Sequence, residues 1–221
     1  MISSSKSASK AASSLKARTN KILSLLEARY PNPKCELTFM TPFQLLVSVV
    51  LSAQATDKSV NLATAPLYSK AFGPKEILDL GEKEFLSKIK SIGLAPTKAK
   101  NVLKLTKIIV EKFSGQVPRA REDLEALPGV GRKTASVVLG EIYGEPTLAV
   151  DTHVFRVSKR LGFHAEPTPE KAEKKLLELI DPKWLPKAHH WFILLGRYIC
   201  TARSPKCLDC PVSSLCPSKS I

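Results

Sequence analysis

The sequence predicts an all-α protein. Apolar residues recur at helical spacing in segments along most of the chain. No segment shows the strict apolar–polar alternation of a half-buried strand, and no internal repeat is present. These observations favour a helical core without a sheet.

Residues 1–20 are predicted to form a disordered basic arm. They are mostly Ser, Ala and Lys without any acidic residue, so they offer too little apolar surface to hold a fold. A Ser-rich, acid-poor N-terminus is also typical of an organellar transit peptide. The arm is the favoured interpretation, because this segment contains several lysines but a single arginine. Since no secretory apolar segment is present, we expect an intracellular protein.

The helical pattern begins at about residue 21, and Pro31 and Pro33 interrupt it. The next start has Thr41 as the predicted N-cap, Pro42 as the first helical residue and Gln44 as the partner in a capping box. The helix that it opens, at residues 42–53, is apolar nearly all round and is therefore predicted to be buried. Further helices are predicted at residues 57–70, 75–80, 82–91, 97–113, 152–159, 169–179 and 186–198.

A compact turn at residues 128–131 separates helical segments at residues 122–127 and 132–139. Gly129 and Gly131 can adopt positive φ and allow a partner to approach the backbone closely. The second helix then begins with outward-facing amide N–H groups, which form an anion site beside Arg132 and Lys133. The turn thus predicts a helix-hairpin-helix that binds a nucleic-acid backbone.

Two nucleotide-binding interpretations of these glycines fail on spacing. A Walker loop needs lysine directly after its second glycine, and Arg132 intervenes here. A dinucleotide-binding turn needs a third glycine where Thr134 stands, and it needs a preceding strand. An ordinary turn between two helices, with solvated Arg132 and Lys133, remains open on the turn alone.

The charge balance favours a polyanionic partner. The chain of 221 residues has 34 Lys and Arg against 20 Asp and Glu, a net charge of +14, which suits DNA, RNA or an anionic membrane surface. Its 43% apolar content allows a buried core in one or two domains. The longest apolar run, LLVSVVL at residues 45–51, is much shorter than the roughly 18 residues that a membrane-spanning helix needs.

Four of the five cysteines lie within the last 22 residues, at the spacing C-x6-C-x2-C-x5-C. They are Cys200, Cys207, Cys210 and Cys216, whereas Cys35 stands alone. In an intracellular protein this pattern indicates one metal centre rather than disulfides. Structural zinc usually takes two short cysteine pairs, and only Cys207 and Cys210 form one. The unequal gaps favour an iron–sulfur cluster and leave zinc open.

Further motifs stand in a fixed order around the hairpin. LSAQATD occupies residues 51–57, IGL residues 92–94, LPGVGRKTA residues 127–135 and AVDTHVFRV residues 149–157, and the four-cysteine pattern follows. Together they resemble the endonuclease III family of DNA base-excision glycosylases. The resemblance extends from about residue 21 to residue 216.

The resemblance implies an all-α fold with two helical domains that flank a DNA-binding cleft. Residues 35–146 would form a six-helix barrel with the helix-hairpin-helix, and residues 21–34 with 147–221 would form a second domain. In that domain Cys200, Cys207, Cys210 and Cys216 would hold a 4Fe–4S cluster. The implied partner is double-stranded DNA with damaged pyrimidines or abasic sites, bound by a monomer without membrane association. The implied location is the cytoplasm, on the nucleoid, or an organelle or nucleus in a eukaryote.

The implied reaction is excision of an oxidised pyrimidine followed by cleavage of the abasic strand. Lys133 matches the family's nucleophile, because a primary amine can attack C1′, form a Schiff base and permit β-elimination of the 3′ phosphate. A reactive amine must be uncharged, and a helix N-terminus disfavours its protonated form. Arginine could not replace it, since arginine does not deprotonate.

Asp151 matches the family's catalytic carboxylate, which would stabilise positive charge at C1′ as the base departs. It also has the pattern of an N-cap for the helix at residues 152–159, and both roles can hold together. By similarity, Gln54 would fill the gap left by the extruded base and Leu94 would wedge beside the unpaired base. The other implied DNA-site residues are Gly129, Gly131, Arg132, Thr134, Asp57 and His153, of which the last two could instead cap or hydrogen-bond locally.

One departure from the family pattern concerns the opposite strand. Ala95 and Pro96 stand where many relatives carry an aromatic residue after the wedge leucine, so any preference for the opposite base stays open. Two other functions also stay open. One is a monofunctional mismatch glycosylase, although adenine-mismatch members lack lysine at this position and usually carry a further C-terminal domain. The other is a DNA-binding module without catalysis.

Overall fold

In the described part of the chain, helices are the only regular secondary structure. The computed structural model describes residues 2–68 and 72–219, with side chains from residue 13 onward. Within these residues no strand forms, which confirms the all-α prediction. None of the helices combines the length and the apolar character needed to cross a bilayer. In chain order they are α1 (Ile2–Arg29), α2 (Pro42–Leu51), α3 (Asp57–Thr64), α4 (Pro74–Ile89), α5 (Ala95–Phe113), α6 (Arg121–Glu125), α7 (Arg132–Tyr143), α8 (Thr152–Arg160), α9 (Pro169–Leu179) and α10 (Leu185–Leu194).

The described residues form two compact units. The hairpin unit is Cys35–Glu145 and contains α2 to α7. The cysteine unit combines the described residues up to Lys34 with those from Pro146 onward, and it contains α1 and α8 to α10. Each unit has an apolar core of its own. The cysteine unit is therefore built from both ends of the chain.

Helix α1 begins much earlier than predicted. Disorder is wrong for residues 13–20, which belong to α1 and are partly packed into the cysteine unit. Thr19 is fully buried, and the Arg18 guanidinium donates to the carbonyl of Leu161 at 2.8 Å. Ala and Lys have good helix propensity, so a few anchoring contacts suffice to hold a segment of this composition in a helix. Residue 1 of the predicted arm lies outside the described residues.

Helix α2 lies at the centre of the hairpin unit. Residues 43–51 are all buried, as their apolar composition predicts. Thr41 caps the helix, because its Oγ1 accepts the N–H of Gln44 at 3.2 Å. The predicted capping box is not closed, since Oε1 of Gln44 accepts the N–H of Met40 at 2.8 Å, one residue before the cap. The Gln44 amide also donates to the carbonyl of Phe72 at 2.9 Å and so ties α2 to the segment before α4.

Helices α3, α4 and α5 agree with their predicted bounds to different degrees. The two helices predicted at residues 75–80 and 82–91 are both present within α4, and they meet at Gly81, whose φ of 71° is not helical. Helix α5 begins two residues early, because Pro96 is compatible with a first helical turn. The helix predicted at residues 57–70 ends at Thr64. Residues 69 and 70 lie outside the described residues.

The cysteine unit packs around α10. Trp191 is fully buried, and its indole N–H donates to the carbonyl of Tyr30 at 2.9 Å, just beyond α1. Helix α9 has the predicted bounds, and α8 continues one residue further than predicted. Helix α10 passes into a π-helical turn, Leu195–Ile199, that leads directly to Cys200. Such turns are frequent at functional sites.

Candidate functional site

The predicted helix-hairpin-helix is formed by α6, the turn that follows it and α7. The N–H of Val130 donates to the carbonyl of Leu127 at 3.0 Å and closes the turn, and both side chains are buried beneath it. Arg121 of α6 donates to Oγ of Ser136 of α7 at 3.1 Å. This contact joins the two helices and fixes the angle at which α7 begins.

Only one of the two hairpin glycines adopts a left-handed backbone. Gly129 has a φ of 82°, and a Cβ at this position would lie 3.1 Å from the side-chain amide of Asn101 and 3.2 Å from Cγ1 of Val50. The turn therefore packs through bare backbone against α5 and α2. Gly131 has a φ of −102° and does not use the left-handed conformation that glycine allows. Nothing lies within 4 Å of its Cβ position, which leaves this backbone open to a partner.

Arg132 and Lys133 occupy the first two positions of α7 and are exposed. Gly131 is the N-cap and brings no side chain to the first-turn amides. Thr134 follows on the same turn and is half-buried. Open amides beside two exposed cationic side chains are the features of an anion site at a helix N-terminus.

The predicted gap-filling residue, Gln54, and the predicted wedge residue, Leu94, lie on adjacent turns of the hairpin unit. Gln54 follows α2 with a φ of 55°, and Leu94 precedes α5 with a φ of 61°. A Cβ on Gly93 would lie 3.9 Å from the carbonyl oxygen of Gln54, so the two turns are in contact. Both side chains are exposed, Leu94 by 57%. A left-handed residue other than glycine is strained by roughly 1–2 kcal/mol, and such strain clusters at functional sites.

Asp151 caps α8 in the cysteine unit, as predicted. Its Oδ1 accepts the N–H of Val154 at 2.7 Å, and the residue is half-buried. His153 packs against the π-helical turn, where a Cβ on Gly196 would lie 2.8 Å from the Cβ of His153. Nδ1 of His153 is 3.2 Å from Nη2 of Arg156. His153 is therefore held by Arg156 of its own helix and by the π-helical turn.

Asp57 is the first residue of α3, where a carboxylate stabilises the helix N-terminus. The cap itself is Thr56, whose Oγ1 accepts the N–H of Ser59 at 3.1 Å. Asp57 also lines a hollow beside α3 together with Phe39 and Tyr68. These are contacts local to α3, which is one of the two roles expected for Asp57.

The four C-terminal cysteines line one cavity of the cysteine unit. All four are free and half-buried, and the cavity wall is otherwise largely apolar. Nη1 of Arg160 lies 3.3 Å from Sγ of Cys200 and donates to the carbonyl of Thr201 at 2.7 Å. Burial raises the pKa of the Cys210 and Cys216 thiols. Four soft sulfur donors in an apolar pocket, one of them beside a guanidinium donor, fit an iron–sulfur cluster.

A buried cation on α5 was not predicted. Lys98 is only 4% exposed, and within the described chain its Nζ has no hydrogen-bond partner. Burial lowers the pKa of this ammonium group. The sequence contains a signal for it, because Lys98 interrupts the apolar stripe of Ala95, Ala99, Val102 and Leu105 at helical spacing.

The hairpin and the cysteine loop together define a class of DNA repair protein. Residues 47–182 match the family model described as HhH-GPD superfamily base excision DNA repair protein. Residues 200–216 match the model described as the iron–sulfur binding domain of endonuclease III. The chain thus combines the two parts of an iron–sulfur, helix-hairpin-helix base excision repair protein.

Individual proteins narrow this class. The chain is 53% identical to endonuclease III of Rickettsia conorii over 197 residues, which cover 89% of this chain and 94% of that protein. A solved non-covalent endonuclease III–DNA complex matches with a TM-score of 0.85 and 43% identity, over 92% of this chain and 96% of the other. A trapped covalent endonuclease III–DNA intermediate matches with a TM-score of 0.84 at the same identity and coverage. The chain therefore belongs to the endonuclease III family.

Membership of this family decides several open alternatives. The protein is a DNA glycosylase with abasic-site lyase activity, acting in base excision repair. Its cofactor is a 4Fe–4S cluster, which decides between the cluster and the zinc site that the cysteine spacing leaves open. The helix-hairpin-helix prediction is likewise confirmed over an ordinary turn between helices.

Substitution of the two hairpin glycines is expected to have two different effects, one on folding stability and one on DNA binding. Gly129→Ala is expected to lower the free energy of unfolding by roughly 1–2 kcal/mol, because alanine is strained at positive φ and its Cβ would crowd Asn101 and Val50. Gly131→Ala, with open space around its Cβ, is expected to keep the stability and to weaken DNA binding. Chemical denaturation and DNA titration measure the two effects. Equal stability of both variants would contradict the role assigned to Gly129.

Lys98 predicts a gain in stability on substitution. Its pKa is lower in the folded chain than the value of about 10.4 in an unfolded one, so the unfolded state binds more protons in that window. The wild-type stability should therefore rise with pH up to about 10.4. Lys98→Met is expected to be more stable than wild type at neutral pH, with a difference that shrinks toward alkaline pH. Lys100→Met, at an exposed position of the same helix, is the control, and a less stable Lys98→Met would refute the argument.

Proposed function

We propose that this protein excises oxidised pyrimidines from duplex DNA and then cleaves the abasic strand, with Lys133 as nucleophile and Asp151 as the supporting carboxylate. The observation that carries this proposal is the exposed amine of Lys133 on the first turn of α7, beside the open backbone of Gly131. A solved relative has been trapped in a covalent intermediate with DNA, which requires a protein nucleophile of this kind.

The amine of Lys133 would act in two stages. In its uncharged form it attacks C1′, the bond from C1′ to the base breaks, and the base leaves with its bonding electrons. The C1′–O4′ bond of the sugar then opens as a proton passes from the attached nitrogen to O4′, which gives an iminium at C1′. This iminium acidifies the C2′ proton, and loss of that proton expels the 3′ phosphate by β-elimination. The exposed position of Lys133 on the first turn of α7, beside the open backbone of Gly131, supports this role, because the amine is uncovered where DNA would approach the hairpin.

Asp151 would stabilise the positive charge that develops at C1′ as the base departs. Its capping bond to Val154 is compatible with this role. The cap uses one carboxylate oxygen as an acceptor and leaves the negative charge in place. The cap also fixes the orientation of the carboxylate, which favours a preorganised charge.

The target base must leave the helical stack before Lys133 can reach its sugar. We propose that Gln54 occupies the vacated space and that Leu94 inserts beside the unpaired base. Their exposure, their contacting turns and their strained backbone support this proposal. Gly129, Gly131, Arg132 and Thr134 would hold the DNA backbone at the hairpin, whereas Asp57 and His153 would act through local structure.

The cysteine loop would serve DNA binding indirectly. We propose that Cys200, Cys207, Cys210 and Cys216 ligate the 4Fe–4S cluster as thiolates. When bound, the cluster supplies a cross-link among four points of a loop that has only short helical turns of its own. We also propose that the protein acts as a monomer, in the compartment that contains the DNA.

Borohydride trapping tests the role of Lys133 directly. Wild-type protein with a duplex that carries an oxidised pyrimidine is expected to give a covalent adduct, because borohydride reduces the Schiff base to a stable amine. Lys133→Ala is expected to lose the adduct and to keep DNA binding, since it removes a single side chain from the interface. Lys104→Ala, at an exposed position on α5, is the matched control and should trap normally.

Each alternative gives a different pattern in the same assay. An adduct that persists in Lys133→Ala would show that another amine is the nucleophile. Release of the base without any adduct in wild type would indicate a monofunctional glycosylase. Tight binding to lesion DNA without base release would indicate a DNA-binding module alone.

The cysteine ligands predict a selective loss of iron. Cys200→Ser is expected to lower the visible absorbance of the cluster and to weaken DNA binding, because the loop loses one of its cross-links. Cys35→Ser is the matched control, since Cys35 lies in the hairpin unit, outside the cysteine loop. Equal iron content in the two variants would remove Cys200 from the ligand set.

A further inference from the structure

Arg18 of α1 joins three segments that are far apart in the sequence. Its Nη1 donates to the carbonyl of Leu161 at 2.8 Å and to that of Leu215 at 3.0 Å. Its Nη2 donates to the carbonyl of Gly162 at 3.3 Å. Leu161 and Gly162 end α8, whereas Leu215 directly precedes Cys216. One guanidinium thus connects the N-terminal helix, the end of α8 and the cysteine loop.

The carbonyls at the end of α8 need donors of this kind. The last carbonyls of a helix lack intrahelical partners, and a cation there interacts favourably with the helix dipole. A guanidinium can serve several acceptors at once because its donors are fixed in one plane. The half-buried Arg18 therefore makes charge-assisted bonds, which are stronger than neutral ones.

The packing around Gly162 leaves little room for Arg18 to move. Gly162 has a φ of 69°, and a Cβ there would lie 3.1 Å from Nη2 of Arg18 and 3.0 Å from Cγ of Pro217. Bare backbone at this position allows the guanidinium and Pro217, the residue after Cys216, to approach the same turn. Thr19, next to Arg18, is fully buried, so this part of α1 is fixed in the cysteine unit.

We propose that Arg18 is a positioning residue for the iron–sulfur cluster, which holds the segment at residues 215–217 against α8 and so keeps Cys216 in place as a ligand. The proposal rests on Cys216 being one of the cluster ligands. It assigns α1 a function outside the two matched regions, residues 47–182 and 200–216. Through Arg18, α1 would hold the cluster loop against the end of α8. Loss of this side chain would let the segment that carries Cys216 move away from α8 and release iron.

Iron release to a chelator tests this role in the full-length, cluster-loaded protein. Arg18→Met is expected to release iron roughly tenfold faster or more, the usual effect of removing a partner that orients a metal ligand. Lys16→Met is the matched control, because Lys16 is exposed on the same helix two residues away. Arg18→Lys keeps the charge but lacks the planar fork of donors, so its release rate should lie between those of wild type and Arg18→Met.

Two further measurements separate positioning from general destabilisation and from failure of the proposed chemistry. Circular dichroism should show unchanged helix content in Arg18→Lys, so faster iron release by that variant supports the proposal even where Arg18→Met does not fold. Freshly loaded Arg18→Lys should still form the borohydride adduct, since Lys133 lies in the hairpin unit. If both Arg18 variants fold and release iron at the rate of Lys16→Met, the proposal is overturned. If Arg18→Met does not fold, the same rate in Arg18→Lys overturns it. Wild-type protein without iron would overturn the cluster itself, whatever the variants do.

Discussion

The burial of α2 is the constraint on which the positions of the hairpin turn and the Gln54 turn depend. Residues 43–51 are all buried, so this helix cannot shift without opening cavities in a closely packed core. The Gln54 turn continues from its C-terminal end. Val50 contacts the hairpin turn at Gly129, whose other neighbour is Asn101 of α5. The side chains and amides proposed to contact DNA are thus placed by a rigid helix, and such placement is more accurate than a free loop allows.

The cysteine loop, in contrast, has almost no regular secondary structure that could fix its position. From Cys200 onward, the described residues contain only short 3-10 turns. Arginines from outside the loop bind its carbonyls instead: Arg156 and Arg160 reach residues 200–202, and Arg18 reaches Leu215. These bonds satisfy backbone acceptors that a short loop cannot pair by itself. Together with the cluster, they replace the apolar core that a segment of this length cannot build.

The separation in sequence between two interacting residues explains which features could be predicted from the sequence. Thr41, Asp151 and the bounds of α9 were predictable, because a cap and its partner lie within a few residues. The hairpin was recognisable for the same reason, because its turn and the start of α7 lie within a few residues of each other. The start of α1 was not predictable, since Arg18 bonds to a carbonyl 197 residues away and no local pattern records that contact. Lys98 could have been found, because a lysine inside an apolar stripe is visible in the sequence itself.

Residues other than glycine that have a positive φ occur in two settings in the described part of this protein: at an ordinary helix end and at the proposed binding site. Among the described residues other than glycine, Gln54, Leu94 and Ser114 have positive φ. Ser114 ends α5 and is followed by Gly115, a common way for a helix to stop. Leu94 begins a helix, where an N-cap is normally extended, and Gln54 lies in a turn without that explanation. Both are exposed, and the unpaired Lys98 lies on the first turns of the helix that Leu94 opens. Local rules are broken together mainly where function repays the strain, and this observation supports the DNA-binding role proposed for Gln54 and Leu94.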